Sequence, residues 1–241
     1  MGRVAIVQAR MTSTRLPGKV LMDLSGSPML AQQLRRLKQC RALDLIVVAT
    51  TVNAADDPVV QVACAEGVES FRGNERDVLS RYVEAAREFD AEVVVRITAD
   101  CPLIHPEIVD SVVSALASDA RGCDYASNVL RRTYPKGLDA EAMYADVLFR
   151  MDRLANSVEA REHVTGFLRF ERPELFVCRS VTDADDNSNL RWTVDERRDL
   201  DLVRKLFCEL DLSHAVVPYR EMLAFVRAHP EISAMNARAA R

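Results

Sequence analysis

Three cations, Arg10, Arg15 and Lys19, fall within ten positions of one another in a loop that follows the apolar run 4–8 and also holds Ser13, Thr14 and Gly18. Arginine offers a planar fork to phosphate oxygens and lysine a mobile point charge, while short side chains leave backbone amides open to an anion. Ligands of an open α/β sheet bind just beyond the carboxyl ends of its strands, where this loop would lie. Such a set suits a polyphosphate. It is not a GxxxxGK[ST] loop, whose spacing is absent, and charge alone leaves an ordinary solvated loop equally open. A second candidate is Asp100, which follows the apolar run 92–98. A carboxylate at a strand's end, facing a bound polyphosphate, is what Mg²⁺ requires, since that ion takes one or two carboxylates beside phosphate oxygens. The other reading makes Asp100 the cap of the turn before Pro102. Asp195 repeats the pattern after residues 191–194, and it reads either as a second metal carboxylate or as the N-cap of the charged helix that follows. Nothing in the spacing brings Asp100 and Asp195 together.

The elements that must position these residues alternate along the chain. Short β-branched runs at 4–8, 45–50, 68–71, 92–98, 176–181 and 191–194 are expected strands. Helical periods cover 28–40, 58–66, 77–89, 106–116, 158–170, 196–210 and 219–228, with Pro28 and Pro58 in first turns and Asp56 and Asp57 available as caps. This is the rhythm of an α/β fold with a parallel sheet covered by helices on both faces. Residues 123–141 lack a period and are rich in Asn, Arg, Pro and Gly, so they read as an excursion over the site. Residues 236–241 read as a frayed end. The length suits a single catalytic domain, 1–241, with 123–145 as its insert.

Composition narrows the function classes. A formal net charge of -4 excludes the global basic field of a non-specific nucleic-acid binder. The six cysteines form no CxxC pair, so neither zinc nor a disulfide framework is indicated and the thiols read as mostly structural. No apolar window of membrane-spanning length occurs, and the chain runs into its first strand without a leader, so a cytoplasmic protein that engages no membrane is expected. Among the histidines, His105, His214 and His229 read as structural or solvent-facing, and the acidic run 183–186 as a solvated turn without EF-hand spacing. Trp192 reads as core.

The loop Gln-Ala-Arg-Met-Thr-Ser-Thr-Arg-Leu-Pro-Gly-Lys, residues 8–19, resembles the opening motif of cytidylyltransferases that make CMP-activated sugars. Asp100 with Pro102, Leu103 and Ile104 resembles their second motif, and Val194-Asp195 followed by Asp199-Leu200 their metal-binding third. Residues 96–104, 134–141, 162–165 and 191–195 look most like the spore coat polysaccharide biosynthesis protein F branch. Thr98 stands where the octulosonate enzymes have glutamine and Cys101 where they have glutamate, so base and sugar contacts do not carry over from them. The resemblance implies a three-layer α/β sandwich of glycosyltransferase-A type and attack on the α-phosphorus of CTP with loss of pyrophosphate. It implies nucleotide contacts from Ala9, Arg10, Ser13, Thr14, Arg15, Gly18, Lys19 and Thr98. Arg15, Lys19, Asp100 and Asp195 would be catalytic, the two aspartates holding Mg²⁺. An acidic, sugar-like acceptor would meet Tyr134, Lys136, Asp139, Glu141, His163 and Arg191, although 131–141 also reads as an exposed loop and His163 as a helix histidine satisfied by a neighbour. A homodimer is expected on the same ground. A nucleotide with another base, a phosphorylated or phosphonate acceptor, or a nucleotide-sugar-dependent glycosyltransferase remain alternatives, the last against the absence of an aspartate at position 98. A module that binds CTP without turning it over is the non-enzymatic alternative.

Overall fold

The apolar runs become neighbouring strands because residues apolar on both faces can be satisfied only at the centre of a covered sheet. In the computed structural model, which describes residues 2–118 and 122–237, β1 (Arg3–Gln8) is the hub. After a two-residue ribbon of β2 (Asp23–Leu24) and β3 (Ser27–Pro28), β4 (Leu45–Thr51) pairs parallel with β1 and β5 (Glu69–Gly73) parallel with β4. On the other side of β1 lies β6 (Val93–Thr98), also parallel. β7 (Tyr125–Ser127) and β8 (Glu141–Tyr144) follow, β8 antiparallel to both β6 and β7, and β9 (Cys178–Ser180) closes the far edge beside β7, giving the order β5-β4-β1-β6-β8-β7-β9.

Alternation along each strand sorts the core into layers. Ala5 and Val7 face α1 (Met29–Leu37), α2 (Asp57–Ala65) and α4 (Pro106–Ala117). Val4 and Ile6 face α3 (Val78–Glu88), α5 (Ala145–Leu154) and α6 (Val158–His163). This is the expected three-layer α/β sandwich with a mostly parallel sheet. A further apolar cluster gathers Leu103, Trp192 and Val194 with α7 (Arg197–Glu209), α8 (Tyr219–Ala228) and α9 (Pro230–Ala234), and it holds the third motif against the sheet's carboxyl edge.

Several expected boundaries change for local reasons. Residues 191–194 form no strand: one bridge joins Lys136 to Arg191, and the Lys136 carbonyl accepts from the Trp192 and Thr193 amides. A carbonyl shared between two successive amides cannot start a ladder. Residues 123–145 are more than an excursion, since β7 and β8 lie inside them, and α5 follows directly. These strands escape a periodicity reading because they are only three and four residues long. The helix expected over 158–170 stops at Val164, whose φ of 61° and ψ of -65° make a γ-turn closed by the Thr165 amide on the His163 carbonyl at 2.7 Å. A β-branched residue is strained there, and a π-helical turn, Phe167–Glu171, continues the chain. Pro28 lies in β3 and precedes α1 instead of entering it, and Asp56 makes no side-chain cap for α2. Asn236 is buried, contrary to a frayed end; residues 238–241 lie outside the described ones.

Candidate active site

The loop after β1 is anchored at both ends. Asp56, fully buried, accepts the Met11 amide at 2.7 Å and is itself bonded by the Thr51 hydroxyl. The Gly18 amide returns to the Met11 carbonyl at 2.9 Å, closing the loop into a ring. Gly18 adopts a left-handed φ of 69°, which glycine reaches without steric cost and which swings Lys19 inward. Lys19 is consequently buried, while Arg15 remains half exposed. Arg10, Ser13 and Thr14 have no side-chain partner among the described residues.

Lys19 joins the other two motifs. Its ammonium donates to the Val194 carbonyl at 2.6 Å, stands 3.2 Å from Asp195 Oδ1 and 3.5 Å from Asp100 Oδ2. Arg15 reaches the same Asp195 oxygen at 2.8 Å, and Arg191 holds Asp195 Oδ2 at 2.6 Å. The backbone completes the seam: the Asp100 carbonyl accepts the Val194 amide at 2.8 Å and the Thr193 hydroxyl at 3.2 Å. The two carboxylates that sequence spacing leaves apart therefore share one cation. Burial by itself would raise the Asp195 carboxyl, but the Arg191 hydrogen bond and the charges of Lys19 and Arg15 hold it below the usual carboxylate range. Asp100 is more open, its Oδ1 taking the Thr98 hydroxyl at 2.5 Å.

Asp195 caps no helix. Glu196 is the N-cap of α7, and Asp199 completes a capping box while accepting the Asp195 amide at 2.9 Å. Asp199 also binds Arg191, and the Asn236 amide spans Asp199 and the Arg191 carbonyl. Asn236 carries no sequence signal for this task, whereas the Glu196…Asp199 spacing is a capping-box pattern. Gly137 brings Lys136 onto this seam: at φ 114°, a Cβ there would meet the Thr193 nitrogen at 2.4 Å, so only glycine fits.

The acceptor candidates divide. Arg191 is committed to Asp195 and Asp199, so it positions a carboxylate and is not a free fork for an acceptor. Asp139 holds Arg132 through two bonds of 2.6 and 2.8 Å. Tyr134 tilts on Tyr219 with 5.5 Å between ring centres, and Lys136 is exposed. Glu141 is buried, against the expectation of an open wall. It pairs with Arg96 and accepts from Tyr125 at 2.5 Å and Thr165 at 2.7 Å. Burial would raise its carboxyl, yet the Arg96 charge and these hydrogen bonds lower it. Exposed His163 lines a cavity of about 350 Å³ with Arg96, Thr165 and Arg169. This cavity adjoins the motifs through β1 and β6, where Gln8 pairs with Thr98 and Arg96 donates to Gln8 Oε1.

The thiol of Cys101, beside Asp100, is pushed well above its ordinary range by burial and then by Asp100 and Asp139, so it is no nucleophile. Among the described residues no group of three or more His, Cys, Asp or Glu side chains could hold a metal. Asp100 and Asp195 nevertheless fit Mg²⁺ by chemistry: they are two hard oxygen donors on either side of the Lys19 ammonium, and one or two carboxylates are what the ion takes, leaving the remaining positions to phosphate oxygens and water.

The arrangement can grip a polyphosphate, bind a divalent cation and neutralise a leaving anion. The cytidylyltransferase family model matches residues 4–220. The spore coat polysaccharide biosynthesis protein SpsF of Bacillus subtilis is 30% identical over 210 residues, 84% of this chain and 85% of its own. A 3-deoxy-manno-octulosonate cytidylyltransferase of Anaeromyxobacter dehalogenans is 39% identical over 119 residues, 48% of each protein. A solved structure of a cytidylyltransferase from Leptospira borgpetersenii covers the whole of both chains with a TM-score of 0.93 at 29% identity.

Proposed function

The chain belongs to the cytidylyltransferase family and is a nucleotidyltransferase, and on that premise we propose that it transfers CMP from CTP to a sugar or sugar-like acid, releasing pyrophosphate, in polysaccharide or glycoconjugate synthesis. The observation that carries this reading is the convergence of Arg15, Lys19, Asp100 and Asp195 across three distant segments. Displacement at phosphorus needs alignment of nucleophile and leaving group and charge on the departing oxygens, with little covalent help. Arg15 exchanges Asp195 for the triphosphate, which its exposure permits, and Lys19 stays fixed below. Together they neutralise the pyrophosphate as it leaves. Arg10 and the amides near Ser13, Thr14 and Gly18 hold the remaining phosphate oxygens, while Ala9 and Thr98 border the nucleoside. Mg²⁺, held by Asp100 and Asp195, would supply polarisation of the α-phosphate.

The acceptor enters the cavity of Arg96, His163 and Arg169. Arg169 and His163 offer a carboxylate its partners beside Arg96, which Glu141 holds, and Glu159 and Glu171 line the same cavity and would meet the acceptor's hydroxyls. The strained turn at Val164 sets His163 at the mouth, and strain of this kind persists where surrounding structure over-determines it, often beside a site. Tyr134, Lys136 and Asp139 border the acceptor from the 128–140 loop. Among the described residues no helix is long and apolar enough to cross a membrane. A homodimer and a cytoplasmic location belong to the same reading. The test supplies each of the four nucleoside triphosphates with Mg²⁺ and a panel of acidic sugars and measures pyrophosphate. Release with CTP and one acid is the expected result, and no release with any pair would overturn the proposal.

A further inference from the structure

A cavity of about 660 Å³ lies away from the catalytic motifs, in a groove between α1 and the segment 212–218. Arg36 and His105, both 2% exposed, line it, together with Arg41 from the loop after α1 and Asp110 from α4. Arg36 is the anomaly. Its Nε donates to the Ile104 carbonyl at 2.9 Å and one terminal nitrogen meets only the Met222 sulfur at 3.9 Å. The other terminal nitrogen has no partner, and no carboxylate pairs with the group among the described residues. Burial without an anion draws the guanidinium down to about 10. A buried charge normally has a counter-charge or a dense set of hydrogen bonds; this one has neither.

Its neighbours repeat the deficit. His105 Nε2 lies 3.2 Å from the Val217 carbonyl and donates to it in the neutral ring, which leaves Nδ1 an acceptor; among the described residues Nδ1 is buried with no hydrogen-bond partner, the Glu107 carboxylate standing 4.0 Å away. Burial lowers the histidine below its ordinary value, consistent with a neutral ring. Arg41 is exposed and its guanidinium pairs with no acid among the described residues; Asp110 accepts the Arg41 and Ala42 amides. Arg35 by contrast is satisfied by Glu66. The groove thus presents two guanidiniums that form no ion pair among the described residues and one imidazole nitrogen, with the Glu107 and Asp110 carboxylates at its wall. A phosphate monoester matches all three: its oxygens accept from the guanidiniums, and its singly protonated form, populated near its second pKa of about 6, donates to Nδ1. An ionised carboxylate has no proton to donate.

We propose that this groove is a second binding site, separate from the catalytic motifs, for a small phosphate-bearing molecule held by Arg36, Arg41 and His105. Occupancy reaches the catalytic turn through the backbone. Arg36 holds Ile104 at one end of the turn carrying Asp100, and Gln33, one helical turn earlier, donates to the Thr98 and Cys101 carbonyls at 2.8 and 3.0 Å. A ligand that tightens Arg36 steadies that turn.

The experiment titrates inorganic phosphate by calorimetry into protein carrying Arg15→Ala and Lys19→Ala, so that the loop after β1 does not compete. Hydrogen exchange then locates the bound anion. Expected are saturable binding, protection of residues 36–41, 98–107 and 212–218, and about tenfold or greater weakening on adding Arg41→Ala, a surface change that spares the fold, or Arg36→Met. Absence of binding in the loop variant would overturn the proposal, as would affinity unchanged by Arg41→Ala. Citrate binding there as tightly as phosphate would overturn the phosphate assignment.

Discussion

Replacing Asp195 with asparagine removes one negative charge from the point where Arg15, Lys19 and Arg191 meet, and the consequence for stability can be worked out contact by contact. Breaking a buried ion pair by deleting one partner costs about 3–5 kcal/mol, because the other charge is left uncompensated. Here the loss is smaller. Lys19 keeps the Val194 carbonyl and Asp100, Arg191 keeps Asp199, and Arg15 is 55% exposed and can turn to water. An exposed pair contributes about 0–1 kcal/mol, so about 2 kcal/mol of destabilisation at pH 7 is expected, read as a lower urea midpoint at unchanged m. The pH dependence has a definite sign. The folded carboxyl lies below its ordinary value of 3.8, so its contribution is complete above that pH and is lost as pH falls through the folded value. The gap between wild type and Asp195→Asn should therefore be flat from pH 5 to 8 and close below about pH 4. A variant as stable as wild type at pH 7, or a gap that widens on acidification, would show that Asp195 does not stabilise the fold as an ionised partner of these cations. In the pyrophosphate assay the same variant should lose far more kcat than affinity for CTP, since a contact strengthened in the transition state acts on the chemical step.

Other changes probe the scaffold. Gly137→Ala forces a Cβ into the Thr193 amide at a positive φ; a loss of about 3 kcal/mol or more, seen in thermal unfolding, is expected. Asp56→Ala leaves the Met11 amide without its acceptor, and CTP binding should weaken by about tenfold while the far-ultraviolet spectrum is unchanged; calorimetry checks both the loop and its anchor. Native-state alkylation followed by mass spectrometry should label Cys64 and Cys208, which are exposed, and spare Cys101, whose thiol is buried and raised.

Much of the fold was legible because its central strands are fully buried and therefore apolar on both faces, a pattern visible in residues 4–8, 45–50 and 92–98. The short strands Tyr125–Ser127 and Glu141–Tyr144 were not, since three or four residues do not establish a period, and one of their polar members, Glu141, is buried by a partner distant in sequence. The break at Val164 was equally hidden: a γ-turn held by Thr165 on Glu141 depends on a strand elsewhere in the chain. Arg191 and Glu141 carried the right chemistry for ligand contact, but a charged side chain's availability depends on which charges fold against it.

Local pattern and motif order are properties of neighbouring residues, and they were enough to reveal the α/β alternation, the cationic loop, the two aspartates at the ends of extended runs and the family resemblance. That Asp100 and Asp195 share Lys19, that Glu141 lies in the core, and that Arg36 meets no carboxylate among the described residues came from the folded arrangement. Those facts depend on distances between segments 80 or more positions apart in the cases of Lys19 with Asp100 and with Asp195. Chain connectivity leaves such distances free until burial and the backbone seam at Val194 close them.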